Sequence, residues 1–269
     1  MWLSNLMSSV GRAVAIQSFG LISQVPALTA AIPGGRLRRL VSTAALPDLK
    51  YEGIYTQSAY APWRANEEFR RALAEVRHNT LVDEYRCWEL WNLVSQMRNL
   101  PEGDILEVGV WRGGTGCLMA RRSMLDGGSG LVHLCDTFTG VVKAGGHDSG
   151  YVGGEHSDTS MDEVLSLAKR MDLRNLRVHK GMFPEDTGRA LEHCRLRLCH
   201  IDVDVYESAS QTFDWAWPKL MVGGIVVFDD YGFYSCSGVT RFVNRMIGLR
   251  DRLVIYNNNG HALVVKLAN

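Results

Sequence analysis

From Asp104 onward, short apolar runs alternate with longer stretches in which apolar residues recur every three or four positions. The short runs are Asp104–Gly109, Leu131–Asp136, Leu176–Lys180, Leu196–Ile201, Ile225–Phe228, Arg252–Tyr256 and His261–Leu267. Runs this short and this apolar read as strands buried on both faces. Between them, Cys117–Leu125, Met161–Met171, Glu207–Leu220 and Val239–Leu249 carry helical spacing, and Gly223-Gly224 is expected to end the third helix and open the next strand. Strands alternating with helices predict a doubly wound, mostly parallel sheet of seven strands. Asn257–Gly260 is a strong turn signal, so the last two strands form a hairpin and place one antiparallel edge strand, the last, on the sheet.

Upstream the pattern is helical. Asn66 is a good N-cap with Glu67 and Glu68 in the first turn, and a second helix is expected from Thr80, with Asp83 completing a near capping box. Its apolar stripe runs through Val82, Tyr85, Trp88, Leu90, Trp91, Leu93, Val94 and Met97 before Leu100–Gly103 breaks it. Tyr51–Trp63 is aromatic without periodicity and reads as a lid or a packed strap. The expected division is an N-terminal arm over 1–50, a helical cap over 51–100 and an α/β core over 101–269.

Composition changes little. The chain is 46% hydrophobic and 22% charged, and 29 basic residues balance 29 acidic ones, so net charge shows no nucleic-acid footprint. The balance hides an asymmetry, because residues 1–47 carry four arginines and no acid. Polar residues and Pro26 interrupt the apolar part of that segment, which makes it a poor membrane span; an arm packing on a partner subunit ranks above a membrane-surface segment or a targeting tail. The six cysteines show no C-x-x-C spacing and several lie inside apolar runs, the distribution of reduced thiols in a cytoplasmic protein.

Candidate chemistry gathers where apolar runs meet acids. Leu196–Ile201 leads into Asp202 and Asp204, and Ile225–Phe228 into Asp229 and Asp230. In an open α/β sheet the carboxyl ends of the strands carry the ligand site, so neighbouring strands would crowd four acids together. Crowded carboxylates repel one another unless a cation neutralises them, and all-oxygen ligation points to Mg²⁺ before Mn²⁺ or Ca²⁺. The glycine-rich turn after the first strand has Trp111 where a dinucleotide fingerprint needs glycine, and it lacks the Gly-Lys-Ser/Thr ending of a phosphate loop. An open turn of this kind suits a cofactor without phosphate, and Asp136 after the second strand is placed to accept from ribose hydroxyls.

The segments E-V-G-V-W-R-G-G-T-G, D-T-F-T-G, H-I-D-V-D-V-Y-E-S and W-P-K-L…G-G-I-V-V-F-D-D-Y-G resemble the macrocin O-methyltransferase family. The resemblance runs from about Thr80 to Lys266. It implies a Rossmann-like core, S-adenosylmethionine as cofactor, Mg²⁺ (or Mn²⁺), and a sugar hydroxyl of a glycosylated natural product as acceptor. Carried over by position, it implies metal ligation by Asp202, Asp229 and Asp230 and a general-base role for Asp204; Val203 stands where the family usually has glycine. Glu107, Gly109 and Asp136 match cofactor-pocket positions. Val110, Trp111, Gly113, Thr137 and Asp202 complete the expected pocket. His147, His156 and His261 stand behind Asp204 as proton acceptors. Competing expectations are a catechol-type Mg²⁺-dependent methyltransferase and a catalytically silent cofactor-binding scaffold. The expected partner is a small glycoside, with a homodimer as the candidate assembly.

Overall fold

The computed structural model describes residues 48, 49, 51 and 58–269; of the expected arm over 1–50, positions 1–47 and 50 lie outside the described residues, as do 52–57 of the expected lid or strap. Seven strands form one sheet: β1 (Asp104–Val108), β2 (Val132–Asp136), β3 (Leu176–Lys180), β4 (Leu196–Ile201), β5 (Leu220–Phe228), β6 (Arg252–Tyr256) and β7 (Ala262–Lys266). The spatial order is β3-β2-β1-β4-β5-β7-β6. Neighbours from β3 through β5 pair in parallel, while β7 runs antiparallel to both β5 and β6. The hairpin is therefore as expected, but the antiparallel strand is not the edge. β7 slots in beside β5 because its residues are nearly all buried, and β6, largely exposed, is left at the rim.

Six α-helices flank the sheet among the described residues: α1 (Glu67–Val76), α2 (Glu84–Met97), α3 (Gly114–Leu125), α4 (Met161–Arg170), α5 (Tyr206–Ala216) and α6 (Ser237–Asn244). The first four share one apolar cluster with Ile105, Leu134, Leu198 and Val227. The last two cover the other face, where Phe213 and Phe242 meet Leu106, Cys199 and Phe228. Alternate strand residues thus face opposite helix layers, as the two-residue period of a strand requires. α1 and α2 pack into the same apolar cluster as α3, so residues 67–97 contribute to the helix layer on that face of the sheet.

Local signals explain most helix starts. Asn66 Oδ1 accepts from Phe69 N at 2.8 Å, the capping bond expected of it. For α2 the cap is Asp83, not Thr80: Asp83 Oδ1 accepts from Tyr85 N and Arg86 N, while Thr80 Oγ1 is used in a turn with Val82 N. Starting the helix at Glu84 leaves Tyr85 53% exposed and turns Arg86 inward. Gly223-Gly224 lies inside β5 instead of before it, since the helix has already ended in a short 3-10 turn over Trp217–Lys219. A side chain at Gly224 would meet Arg197 O at 2.9 Å, so the glycine pair permits a bulge against β4.

Candidate active site

A cleft of about 250 Å³ opens at the carboxyl ends of β1, β2, β4 and β5. Its floor is the turn after β1. Gly109 has φ +85°, and a Cβ there would lie 1.7 Å from Asp202 O, so only glycine lets the chain leave β1 this close to β4. Asp136 anchors the turn. Its Oδ2 accepts from Val110 N at 2.6 Å and Trp111 N at 2.9 Å, and its Oδ1 from Phe138 N at 2.6 Å. One carboxylate oxygen therefore keeps accepting capacity for a hydroxyl at the cleft wall.

Asp202, Asp229 and Asp230 each offer a carboxylate oxygen, all within 4.8 Å of one another. Burial, and next the charge of Asp229, push the Asp202 and Asp230 carboxyls well above the usual range. Asp229 behaves oppositely. Burial alone would raise it, but the Arg86 guanidinium, helped by His200 and His261, holds it well below that range. Arg86 donates through Nη1 to Asp229 Oδ2, lies 3.7 Å from Asp230 Oδ1, and donates through Nε to Asp83 Oδ2 at 2.9 Å. Its guanidinium also sits 5.0 Å above the Phe233 ring.

Behind the acids lies a second layer of titratable groups. His261 Nδ1 is 2.6 Å from Glu89 Oε2, and its Nε2 is 2.7 Å from Asp229 Oδ1. The latter pair is in contact yet not aligned for a hydrogen bond, so Asp229 Oδ1 is buried without an aligned donor. Glu107 and His200, register partners on β1 and β4, meet at 2.9 Å with neither exposed. Burial would depress His200, but the carboxylates of Asp229 and Glu107 outweigh it and lift the imidazole to about 10.

Asp204 occupies a left-handed conformation, φ +64°, in a tight turn closed by Val205 N donating to Val203 O at 2.7 Å. Burial raises its carboxyl, opposed by a hydrogen bond from Tyr151 and the nearby His156. The loop over 140–159 brings both to the cleft, and Tyr151 Oη lies 3.4 Å from His156 Nε2. Trp111 is tied to the same loop through Nε1 donating to Asp158 Oδ1 at 2.9 Å.

Of the expected residues, Gly109, Val110, Trp111, Asp136, Thr137, His156, Asp202, Asp204, Asp229 and Asp230 line the cleft. Glu107 does not; its Oε1 pairs with His200 beneath the floor, and its Oε2 is buried without a hydrogen-bond partner. Gly113 also stands outside the lining, where a side chain would press on Val164 at 2.7 Å. His147 is exposed and stacks on Tyr206 with centroids 4.4 Å apart, away from the lining. Arg86, Glu89 and Tyr151 were not anticipated. A signal for Arg86 exists, because it falls four residues before the buried Leu90, on the inward line of α2.

Carboxylates in excess over buried cations, with one buried oxygen lacking a donor, fit a hard divalent ion. The cleft, its glycine floor and the spare capacity of Asp136 fit a nucleoside-bearing cofactor.

Comparison with known proteins agrees with this architecture. Demethyldecarbamoylnovobiocin O-methyltransferase of Streptomyces niveus is 30% identical over 176 residues, covering 60% of this chain and 65% of that one. Mycinamicin III 3''-O-methyltransferase of Micromonospora griseorubida is 28% identical over 242 residues, covering 83% of this chain and 92% of that one. Among solved structures, the O-methyltransferase NovP superimposes with a TM-score of 0.60 at 25% identity, over 71% of this chain and 83% of that one. The calicheamicin methyltransferase CalS11 shares the fold at 15% identity, with a TM-score of 0.57 over 82% of this chain and 100% of that one. The profile of the macrocin O-methyltransferase (TylF) family matches residues 55–253, from before α1 into β6, and the chain belongs to that family.

Proposed function

We propose that the protein is an S-adenosylmethionine-dependent O-methyltransferase acting on a sugar hydroxyl of a glycosylated metabolite. The observation that carries this reading is the meeting, in one cleft, of a phosphate-free glycine turn with four carboxylates. The relatives' names supply the acceptor class, since the mycinamicin enzyme is named for a 3''-oxygen. S-adenosylmethionine supplies an electrophilic methyl group, and a divalent cation held by Asp202, Asp229 and Asp230 supplies acidification and orientation of the acceptor hydroxyl.

The chain's own residues do the rest. Asp136 receives a ribose hydroxyl while its backbone bonds keep the turn in shape. Asp204 takes the acceptor's proton; a carboxyl raised by burial is a stronger base than an exposed aspartate, and general-base catalysis contributes roughly 10²–10⁴-fold. Tyr151 holds that carboxylate by a hydrogen bond, and His156 lies next in line to pass the proton to solvent. Arg86 offsets part of the acid charge so the cluster survives before a cation arrives.

The test is a methylation assay on the full chain across sugar, phenolic and peptide acceptors, with and without chelator. Transfer to a glycoside that stops in chelator and returns with Mg²⁺ is expected. Preference for a catechol, or undiminished transfer in excess chelator, would sink the proposal.

A further inference from the structure

At the opposite end of the sheet from the cleft, three residues that the proposed function does not use come together. They are Asp104, the first residue of β1, His133 of β2, and Cys194 just before β4. Cys194 Sγ lies 3.7 Å from His133 Nε2, and Asp104 Oδ2 lies 3.7 Å from the same nitrogen. Ligands at tetrahedral angles around zinc, with bonds near 2.0–2.3 Å, stand about 3.4–3.6 Å apart. The two contacts to His133 Nε2 are thus within a few tenths of an ångström of zinc-ligand spacing, and all three ligand atoms lie within 4.8 Å of one another.

The partners behind these atoms aim them at a common point. Leu131 N donates to Asp104 Oδ1 at 2.8 Å, which fixes the carboxylate and leaves Oδ2 turned toward His133. His133 Nδ1 sits 3.1 Å from His179 Nε2. With that contact made by a proton on Nδ1, the Nε2 lone pair faces the cluster, the arrangement that an outer hydrogen bond sets in histidine metal ligands. His133 is 6% exposed, so its ring cannot turn to water for a partner. Cys194 is only half-buried and borders a surface hollow that Arg195, Lys219 and Asn269 also line, which gives an ion a way in.

We infer that Asp104, His133 and Cys194 bind a thiophilic divalent metal, Zn²⁺ foremost, at a site separate from the catalytic cleft. The donor set decides the metal: one thiolate, one imidazole and one carboxylate suit zinc, whereas the all-oxygen cleft suits Mg²⁺. Binding exchanges the thiol proton for the metal, with one proton leaving to solvent per ion bound. Water entering from the hollow would complete the four ligands. With ligands on β1, on β2 and on the turn entering β4, the ion fastens three segments at the base of the sheet.

Cobalt tests this directly, because a thiolate bound to Co²⁺ gives a charge-transfer absorption that carboxylates and imidazoles alone do not. Chelator-stripped full-length protein, titrated with Co²⁺ under reducing conditions, should develop that band to one equivalent, and Zn²⁺ should abolish it. Cys194→Ser should lose the band entirely, and His133→Gln should shift the titration to higher cobalt. Cys236→Ser is the control, since Cys236 lies near Asp204 and Asp230 in the cleft; it should keep the band. Asp202→Asn should keep it too. No thiolate band in folded wild-type protein, checked by circular dichroism, would overturn the inference, as would a band surviving Cys194→Ser or lost in Cys236→Ser. Failure here leaves the methyl-transfer reading untouched, because none of these three ligands lines the cleft.

Discussion

Arg86 is the residue on which the acid cluster depends, and its helix register alone decides that it points inward. Breaking a buried ion pair by removing one partner costs about 3–5 kcal/mol, because the other charge stays buried. Arg86→Met should lower unfolding free energy in denaturant by about that amount when no divalent ion is present. Added Mg²⁺ should then raise the variant's melting temperature more than the wild type's, since the ion replaces the missing positive charge. Equal stability of the two proteins in chelator would show that Arg86 is not the counter-ion. The acids separate by role. Asp202→Ala should raise the Mg²⁺ concentration needed for turnover, whereas Asp204→Asn should leave Mg²⁺ affinity nearly unchanged and cut turnover by ~10²–10⁴-fold. Metal titration beside rate measurement distinguishes them, and loss of metal in Asp204→Asn with retention in Asp202→Ala would reverse the assignment. The acids themselves were legible in sequence because each follows an apolar run. Arg86, Glu89 and Tyr151 were missed: a polar residue on a helix stripe declares its direction only once the cap is placed, and one in a loop only once the loop's path is known.

At the scale of elements, strands were the most readable feature, since apolar runs of five or six residues admit few other structures. β3, β4 and β6 keep the bounds the pattern suggests. Gly223-Gly224 misled because glycine ends helices and also permits bulges, and only Pro218 in the preceding 3-10 turn tells the two apart. The rim strand β6 shows how an exposed edge is held. Arg252 makes a bidentate pair with Asp251 at 2.8 and 2.7 Å while its guanidinium covers Trp217 at 4.3 Å, and Trp217 Nε1 donates to Asp251 at 3.1 Å. The Arg252 bonds, with its charge and Trp217, lower the Asp251 carboxyl to about 2, a depressed folded value. Its stabilisation is therefore present above the ordinary carboxylate range near 3.8 and is lost as pH falls through about 2. With about a third of the side chain in water, the contribution is screened to about 0.5–1 kcal/mol. Asp251→Asn should be less stable than wild type by that amount at pH 6, and the gap should narrow at pH 3. A gap that widens on acidification would contradict the sign.

For the whole molecule, the described residues form one sheet with two helix layers, and no helix among them is long and apolar enough to cross a membrane. Among the described residues, both apolar clusters are built from positions beyond 60. Deleting residues 1–47 should accordingly leave a cooperative thermal transition and an intact cleft, read by calorimetry and by cofactor binding. Loss of the transition would place the basic segment within the core.

The position of β7 beside β5 has a consequence for how the chain is made. Glu89, Asp229 and His261 meet at one point, yet the first and last are separated by 172 positions. While the chain is being synthesised, α2 and β1 through β5 emerge before the strand that completes the acid cluster. Until the hairpin docks, β5 presents an unpaired edge and Asp229 lacks the His261 imidazole at its side. A chain halted after β6 therefore holds every cleft aspartate and still has no finished site. Assembly of the cluster is a terminal event of folding, gated by non-local pairing that closes slowly.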